Sequence, residues 1–305
     1  MDKLNSVLIG FRLKTLPAVL GPLLIAVSIG FNNSVEIYRI ALVLSIGIFL
    51  QILVNLLNDI QDFNKGLDDE NRVGPMRASQ QGYLSKYEMN VIIIIIFIIC
   101  LSLGLFAFLI SDFFTIILGV ILFLLAYSYT GGPKPYGYNG FGELGVIIVF
   151  GPMTILGSLY IFDIYPTFKL LILSLIPGIS ASLIILVNNI RDIENDKNGN
   201  KNTIAVILGE KKSRHLYFYL VIIISVLLVI NSLILENNYF LISATLSFFI
   251  FPLKELGFNI WKNKVLFMKL DLKKSKVSSE LNSTLIKTVV SHFILCLTIS
   301  VVLLI

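Results

Sequence analysis

"NVIIIIIFIICLSLGLFAFLI", residues 90–110, decides the fold class. It carries no charged side chain, and a run of roughly 18 to 25 apolar residues is what a helix needs to cross a bilayer. The run is apolar on every face, so it does not read as the surface helix of a soluble domain. The whole chain agrees with it. Of 305 residues, 56% are hydrophobic and 14% charged, and the mean hydropathy is +0.87. A soluble domain of this size is about 25% charged. Uninterrupted apolar runs also exclude a lipid-facing β-barrel, whose strands alternate in polarity.

Outward from this run, nine candidate spans lie near 16–34, 37–57, 88–110, 113–130, 141–162, 168–190, 215–235, 238–254 and 284–305. The expected architecture is all-α, a single multi-pass transmembrane domain over residues 1–305. Pro17 suits the first turn of the first span. The N-terminus lacks the apolar core and small-residue cleavage site of a signal peptide, so that span is expected to stay in the mature protein. With the N-terminus in the cytoplasm, Arg39 and Lys169 alone among 24 basic residues fall outside. That asymmetry obeys the positive-inside rule. The long loops 58–87, 191–214 and 255–283 then share the cytoplasmic side, and "KLDLKKSKVSSELN" (269–282) reads as a contact for anionic lipid. Cys100 and Cys296 lie in apolar runs and read as small hydrophobes. His215 and His292 have no paired-ligand spacing and read as ordinary polar positions.

Chemistry concentrates at two span ends. "NLLNDIQDFNKGLDDENRVGPMRASQQG" (55–82) holds Asp59, Asp62, Asp68, Asp69 and Glu70, five of 19 acidic residues. On a helix, Asp59 and Asp62 lie within about 40° of Asn55, so the three share a face. "VNNIRDIENDKNGNKNT" (187–203) echoes this, with Asn188, Asp192 and Asp196 at i, i+4, i+8 and Arg191 and Lys201 beside them. A single Asp at a membrane boundary reads as solvated. Two matched rows on one side do not, because carboxylates at helical spacing repel unless a cation neutralises them. Facing rows make a hard-oxygen site suited to Mg²⁺ with substrate phosphate. Basic neighbours would take the remaining phosphate oxygens. The implied chemistry is diphosphate binding and loss in an apolar cavity.

These rows resemble the two Asp-rich motifs of the UbiA superfamily of intramembrane prenyltransferases. The match extends to "FRLKTLPAVLGPLL" (11–24), "YTGGPKPYGYNGFGELGVIIVFGP" (129–152) and "LNSTLIKT" (281–288). Many members carry N-D-x-x-D-x-x-x-D in the first motif. Here Asn58, Asp59 and Asp62 fit, Gly66 holds the last Asp position, and the next acid is Asp68. That departure resembles the branch acting on 1,4-dihydroxy-2-naphthoate.

The resemblance implies a UbiA-type bundle at the cytoplasmic membrane, with the active site facing the cytoplasm. It implies Mg²⁺-dependent transfer of a polyprenyl or phytyl group from its diphosphate to the naphthoate, with loss of CO₂, on the way to menaquinone or phylloquinone. Asp59, Asp62, Asp192 and Asp196 would hold Mg²⁺, supported by Asn55, Asn58, Asp68 and Asn188. Arg12, Arg77, Lys134, Arg191 and Lys201 would neutralise the leaving diphosphate. Tyr127, Tyr129, Tyr136 and Tyr138 would stabilise the allylic cation. The Gly- and Pro-rich 131–141 stretch cannot continue a helix, and in the family reading it caps the site against water.

Alternatives within the class are acceptors such as 4-hydroxybenzoate or homogentisate. A secondary transporter of an anionic solute is the rival from another class, but transporters place their acids near the bilayer midplane. There is no Walker loop or Rossmann fingerprint. No nucleic acid and no obligate protein partner are implied.

Overall fold

The structure is a computed structural model that describes residues 3–64, 84–111, 113–258 and 280–305. Among these residues it is all helical. A short helix α1 (Lys3–Phe11) and a 3₁₀ turn (Leu13–Thr15) lead into α2 (Leu16–Asn32). Then come α3 (Ile37–Asn64), α4 (Lys86–Ile110) and α5 (Phe114–Ser128). After a loop with a 3₁₀ turn (Tyr136–Tyr138), α6 (Gly142–Ile148) and α7 (Thr154–Ile161) flank a π-turn (Val149–Met153). The chain continues through α8 (Phe168–Arg191), α9 (Ile193–Asn198), α10 (Ile204–Leu208), α11 (Glu210–Ile234), α12 (Tyr239–Ile250) and α13 (Leu281–Leu304).

Seven helical segments are long and apolar enough to cross a membrane, and α5 and α12 are shorter apolar helices. Each coincides with one of the nine spans expected from sequence. With 15 and 12 residues, α5 and α12 reach about 22 and 18 Å at 1.5 Å per residue, short of a ~30 Å hydrocarbon core.

Local chemistry sets the helix ends. Ser85 and Glu88 form a reciprocal capping box at the start of α4: Ser85 Oγ accepts from Glu88 N–H at 3.2 Å, and Glu88 Oε2 accepts from Ser85 N–H at 2.9 Å. Pro152 falls within the π-turn, where Thr154 Oγ1 donates to Val149 O at 2.7 Å. The 28-residue α3 is about 42 Å long, longer than a ~30 Å apolar layer is thick. Its last turns carry the first acid row. At its other end, Arg39 donates to Ile161 O at 2.5 Å and pairs with Asp163 at 2.7 Å, tying α3 to the C-terminus of α7.

The core centres on α8 and α13. Helix α13 packs along α2 and α8, and α11 packs between α8 and α12. Pro22 inside α2 has no N–H, so the Ala18 carbonyl loses its intrahelical donor. His292 of α13 replaces it, with Nε2 3.0 Å from Ala18 O and Nδ1 2.7 Å from Ser180 Oγ of α8. A carbonyl accepts only, so the proton sits on Nε2 and Ser180 donates to Nδ1. Gly21 makes room: a Cβ there would lie 2.9 Å from both His292 Nε2 and Cys296 Sγ. His292 is thus not an ordinary polar position, as its spacing suggested, but a buried link joining three helices. Cys296 is buried and Cys100 half-buried, as expected of small hydrophobes.

Replacing His292 by Leu should leave the Ala18 carbonyl without its donor and cost about 1 kcal/mol. Thermal unfolding of the detergent-solubilised protein checks this. An unchanged midpoint would remove His292 from the role.

Candidate active site

The first row lies on the unbroken last turns of α3, where Asn55, Asp59 and Asp62 are all buried. The shared face read from their spacing is real. Arg12 Nη2 pairs with Asp59 Oδ1 at 2.8 Å. Asn55 donates to Phe11 O at 3.1 Å and to Thr15 Oγ1 at 2.9 Å, and its Oδ1 accepts from Gln51 at 3.2 Å. Its amide therefore shapes the turn that carries Arg12. The Thr130 hydroxyl lies 2.8 Å from Asn58 Oδ1 and 2.5 Å from Gln61 Oε1. The Tyr138 hydroxyl donates to Asp62 Oδ1. Asp68 and Arg77 lie outside the described residues, as does Gly66.

The second row corrects one expectation. Residues 188–196 do not form one continuous helical face. Helix α8 ends at Arg191, Asp192 adopts φ −97° and ψ 11°, and Asp196 belongs to α9. The side chain of Arg191 bridges the interruption. Its Nε and Nη2 grip Asp192 at 2.7 and 2.6 Å, Nη2 also donates to Asn188 Oδ1 at 2.6 Å, and Nη1 donates to Asn282 Oδ1 of α13 at 2.8 Å. Arg191 is buried and ties the end of α8 to the start of α13. Asp196 sits 3.3 Å from Lys201 Nζ and 3.4 Å from the Thr203 hydroxyl.

The two rows meet at one end of a cavity of about 1680 Å³. Arg12, Asn55, Asp62, Asn188 and Lys201 line its polar head, and Val43, Ala107 and Ile161 lie at its far, apolar end. Leu101, Leu105, Val120 and Leu124 also line it, yet each is more than half exposed. The wall formed by α4 and α5 is therefore open on its outer side.

The four tyrosines separate. Tyr129 and Tyr136 line the cavity, edge to face at 5.4 Å between ring centroids. Burial raises both phenols, Tyr129 with help from the charges of Glu143, Asp62 and Asp196, and Tyr136 to about 12. Both stay neutral at physiological pH. Tyr138 is buried behind the wall, and Tyr127 is exposed. Lys134 is exposed on its turn.

Three features escaped the sequence reading. Asn282 completes the grip of Arg191. Thr130 fastens the loop to α3. Glu143, buried at the start of α6, accepts from Asn189 Nδ2 at 2.9 Å through Oε1, while its Oε2 has no hydrogen-bond partner among the described residues. An acid within an apolar span was the available signal for Glu143.

The donor set fits a divalent cation. Burial pushes the Asp196 carboxyl above the usual range, Lys201 pulls it back, and the charges of Asp192 and Asp62 raise it further. Negative charge from both rows thus converges on Asp196, a repulsion that a cation relieves. Among the described residues no three His, Cys, Asp or Glu side chains form a metal-holding group. Protein oxygens would then supply part of the shell and substrate phosphate and water the rest.

The model of the UbiA prenyltransferase family matches residues 18–264. The 1,4-dihydroxy-2-naphthoate octaprenyltransferase of Escherichia coli K12 is 35% identical over 212 residues, covering 67% of this chain and 68% of that protein. The enzyme of the same description from Mycobacterium tuberculosis is 33% identical over 219 residues, 72% of this chain and 75% of its own. A solved UbiA homolog from Archaeoglobus fulgidus bound to GPP and Mg²⁺ superposes with a TM-score of 0.64 at 15% identity, over 95% of this chain and 99% of that one.

Substituting Arg191 by Met should strand the carboxylate of Asp192 and cost about 3–5 kcal/mol. Asn282→Ala, which removes one neutral acceptor, should cost nearer ~1 kcal/mol. Thermal midpoints of the two variants test the ranking, and equal midpoints would contradict it.

Proposed function

The chain belongs to the UbiA prenyltransferase family, and on that premise we propose that it transfers a polyprenyl group from its diphosphate to 1,4-dihydroxy-2-naphthoate, with loss of CO₂. The carrying observation is the cavity itself, with carboxylates and cations at one end and apolar walls along the rest. Relatives sharing about a third of their residues act on that naphthoate by description. A neighbour in fold holds GPP and Mg²⁺.

The diphosphate occupies the polar head, where Arg12 and Lys201 offer positive charge and Arg191 lies buried behind, holding Asp192 and Asn188. Asp59, Asp62, Asp192 and Asp196 would hold Mg²⁺, with Asn58 and Asn188 beside them. Bound there, Mg²⁺ would neutralise charge on the departing diphosphate. The allylic C–O bond breaks and its electron pair leaves with the diphosphate. Tyr129 and Tyr136 present neutral π-faces to the resulting cation. The electron-rich naphthoate ring attacks it, and the electron pair of the broken carbon–carboxylate bond restores the aromatic ring as CO₂ leaves. The loop at 131–141 covers the head and keeps water from the cation.

The prenyl tail lies along the apolar length of the cavity. Val43 and Asp62, both on its wall, are separated by about 28 Å along α3. Beyond that length the open wall of α4 and α5 lets a long tail continue into lipid. The chain spans the cell membrane nine times as one domain, with α5 and α12 as short spans and the N-terminus and site on the cytoplasmic side, in keeping with the positive-inside charge pattern.

Membranes containing the protein, given 1,4-dihydroxy-2-naphthoate and a mixture of prenyl diphosphates, should yield a decarboxylated prenyl naphthoquinol by mass spectrometry. EDTA should abolish the product and Mg²⁺ restore it. Asp59→Asn and Asp192→Asn should each cost at least about 100-fold in rate. Full activity in metal-free buffer, or no product from the naphthoate and a prenylated product when 4-hydroxybenzoate replaces it, would sink the reading.

Tail length has its own test. Gly104 and Gly119 line the cavity, and a Cβ at either would meet nothing within 4 Å. Trp at either position should fill the space without disturbing the backbone and shift preference from octaprenyl toward geranyl diphosphate by about tenfold or more, a discrimination of a few side-chain contacts. An unchanged ratio would place the tail elsewhere.

A further inference from the structure

Tyr138 touches the first acid row directly and the lysine that pairs with the second. Its hydroxyl donates to Asp62 on α3. Lys201 Nζ lies 5.4 Å from the centre of its ring and 3.3 Å from Asp196 Oδ1. Its carbonyl accepts from Asn202 N–H at 2.9 Å, and its own N–H closes the 3₁₀ turn onto Pro135 O at 3.0 Å. One side chain and its backbone thus fasten the loop at 131–141 to α3 on one side and to the turn after α9 on the other. The ring is 8% exposed and its face already meets an ammonium group. That placement suits a strut better than a wall for an allylic cation, which Tyr129 and Tyr136 provide.

A carboxylate gripped through one oxygen loses most of its rotation, so the other oxygen is aimed before a ligand arrives. Outer partners of this kind commonly set metal affinity by 10- to 100-fold without touching the metal. Lys201 is held in the same way, by a ring on one side and a carboxylate on another.

We propose that Tyr138 is a positioning residue that orients Asp62 and Lys201 together, so that binding of the divalent cation and the prenyl diphosphate depends on its hydroxyl while the chemical step does not. This rests on the reading that Asp62 and Asp196 share a cation with the diphosphate. Tyr138→Phe keeps the ring under Lys201 and the backbone bond to Asn202, and removes the bond to Asp62.

The test is Mn²⁺ binding to the purified full-length protein in detergent, followed by electron paramagnetic resonance, beside steady-state kinetics. In Tyr138→Phe the Mn²⁺ dissociation constant and the KM for prenyl diphosphate should each rise about tenfold, with kcat at saturation within about threefold of the parent protein. Tyr138→His, whose ring N–H still donates, should bind Mn²⁺ more tightly than Tyr138→Leu, and this pair decides the matter if the Phe variant does not fold. Parental Mn²⁺ affinity in Tyr138→Phe, or equal loss in the His and Leu variants, overturns the proposal. So does a fall in kcat with affinity unchanged, which would return Tyr138 to the stabilisation of the allylic cation. Absence of Mn²⁺ binding by the parent protein would overturn the underlying reading of the site instead.

Discussion

Asp59 is wholly buried near the end of an apolar helix, and the local arrangement follows from that constraint. A carboxylate removed from water needs a cation or several donors. Arg12 supplies the cation. To deliver it, the backbone turns left-handed at Arg12, with φ 49°, a conformation that costs a non-glycine residue of order 1–3 kcal/mol. The chain then makes one 3₁₀ turn before α2 begins. Asn55 holds that turn through Phe11 and Thr15. The junction between α1 and α2 is therefore moulded around the end of α3.

The second row obeys the same constraint with different partners. Arg191 is itself buried and spends its donors on Asp192, Asn188 and Asn282. That grip draws the start of α13 to the end of α8. Buried ion pairs of this kind are poor evidence for stability, since their desolvation offsets their attraction. Their effect here is on arrangement. Arg12 and Lys201 each pair with an acid and also face the cavity, so the groups that neutralise the acids are placed where a diphosphate would meet them.

Helical periodicity made the first row legible, because α3 runs unbroken through it. The same arithmetic misjudged the second row, because side-chain bonds of Arg191 accompany a break in the helix at Asp192 that spacing does not encode. The positions of the long apolar helices were legible from apolar runs alone. The crossing of α2, α8 and α13 was not, since it depends on His292 meeting a carbonyl freed by Pro22, two residues far apart in sequence. Composition placed four tyrosines near the site, but only packing could divide them into two that line the cavity, one that braces it and one that faces outward. Asn282 lay within a stretch that carried the family resemblance, yet its partner Arg191 is too distant in the chain for any local pattern to join them.

The glycines around the loop at 131–141 have a reason beyond turn geometry. A Cβ on Gly137 would fall 3.2 Å from ring carbons of Tyr129 and 2.6 Å from its carbonyl oxygen. One on Gly145 would clash with the edge of the Tyr136 ring, 2.9 Å from its Cζ and hydroxyl oxygen. Neither glycine adopts a positive φ, so backbone freedom does not explain them. Each clears space for a tyrosine ring, and the two rings then meet edge to face on the cavity wall. Pro135 and the 3₁₀ turn after it carry the chain on to Tyr138, whose hydroxyl reaches Asp62. The composition that reads in sequence as a break in the helix is, in the fold, also the packing requirement of an aromatic wall built between the carboxylates and the apolar length of the cavity.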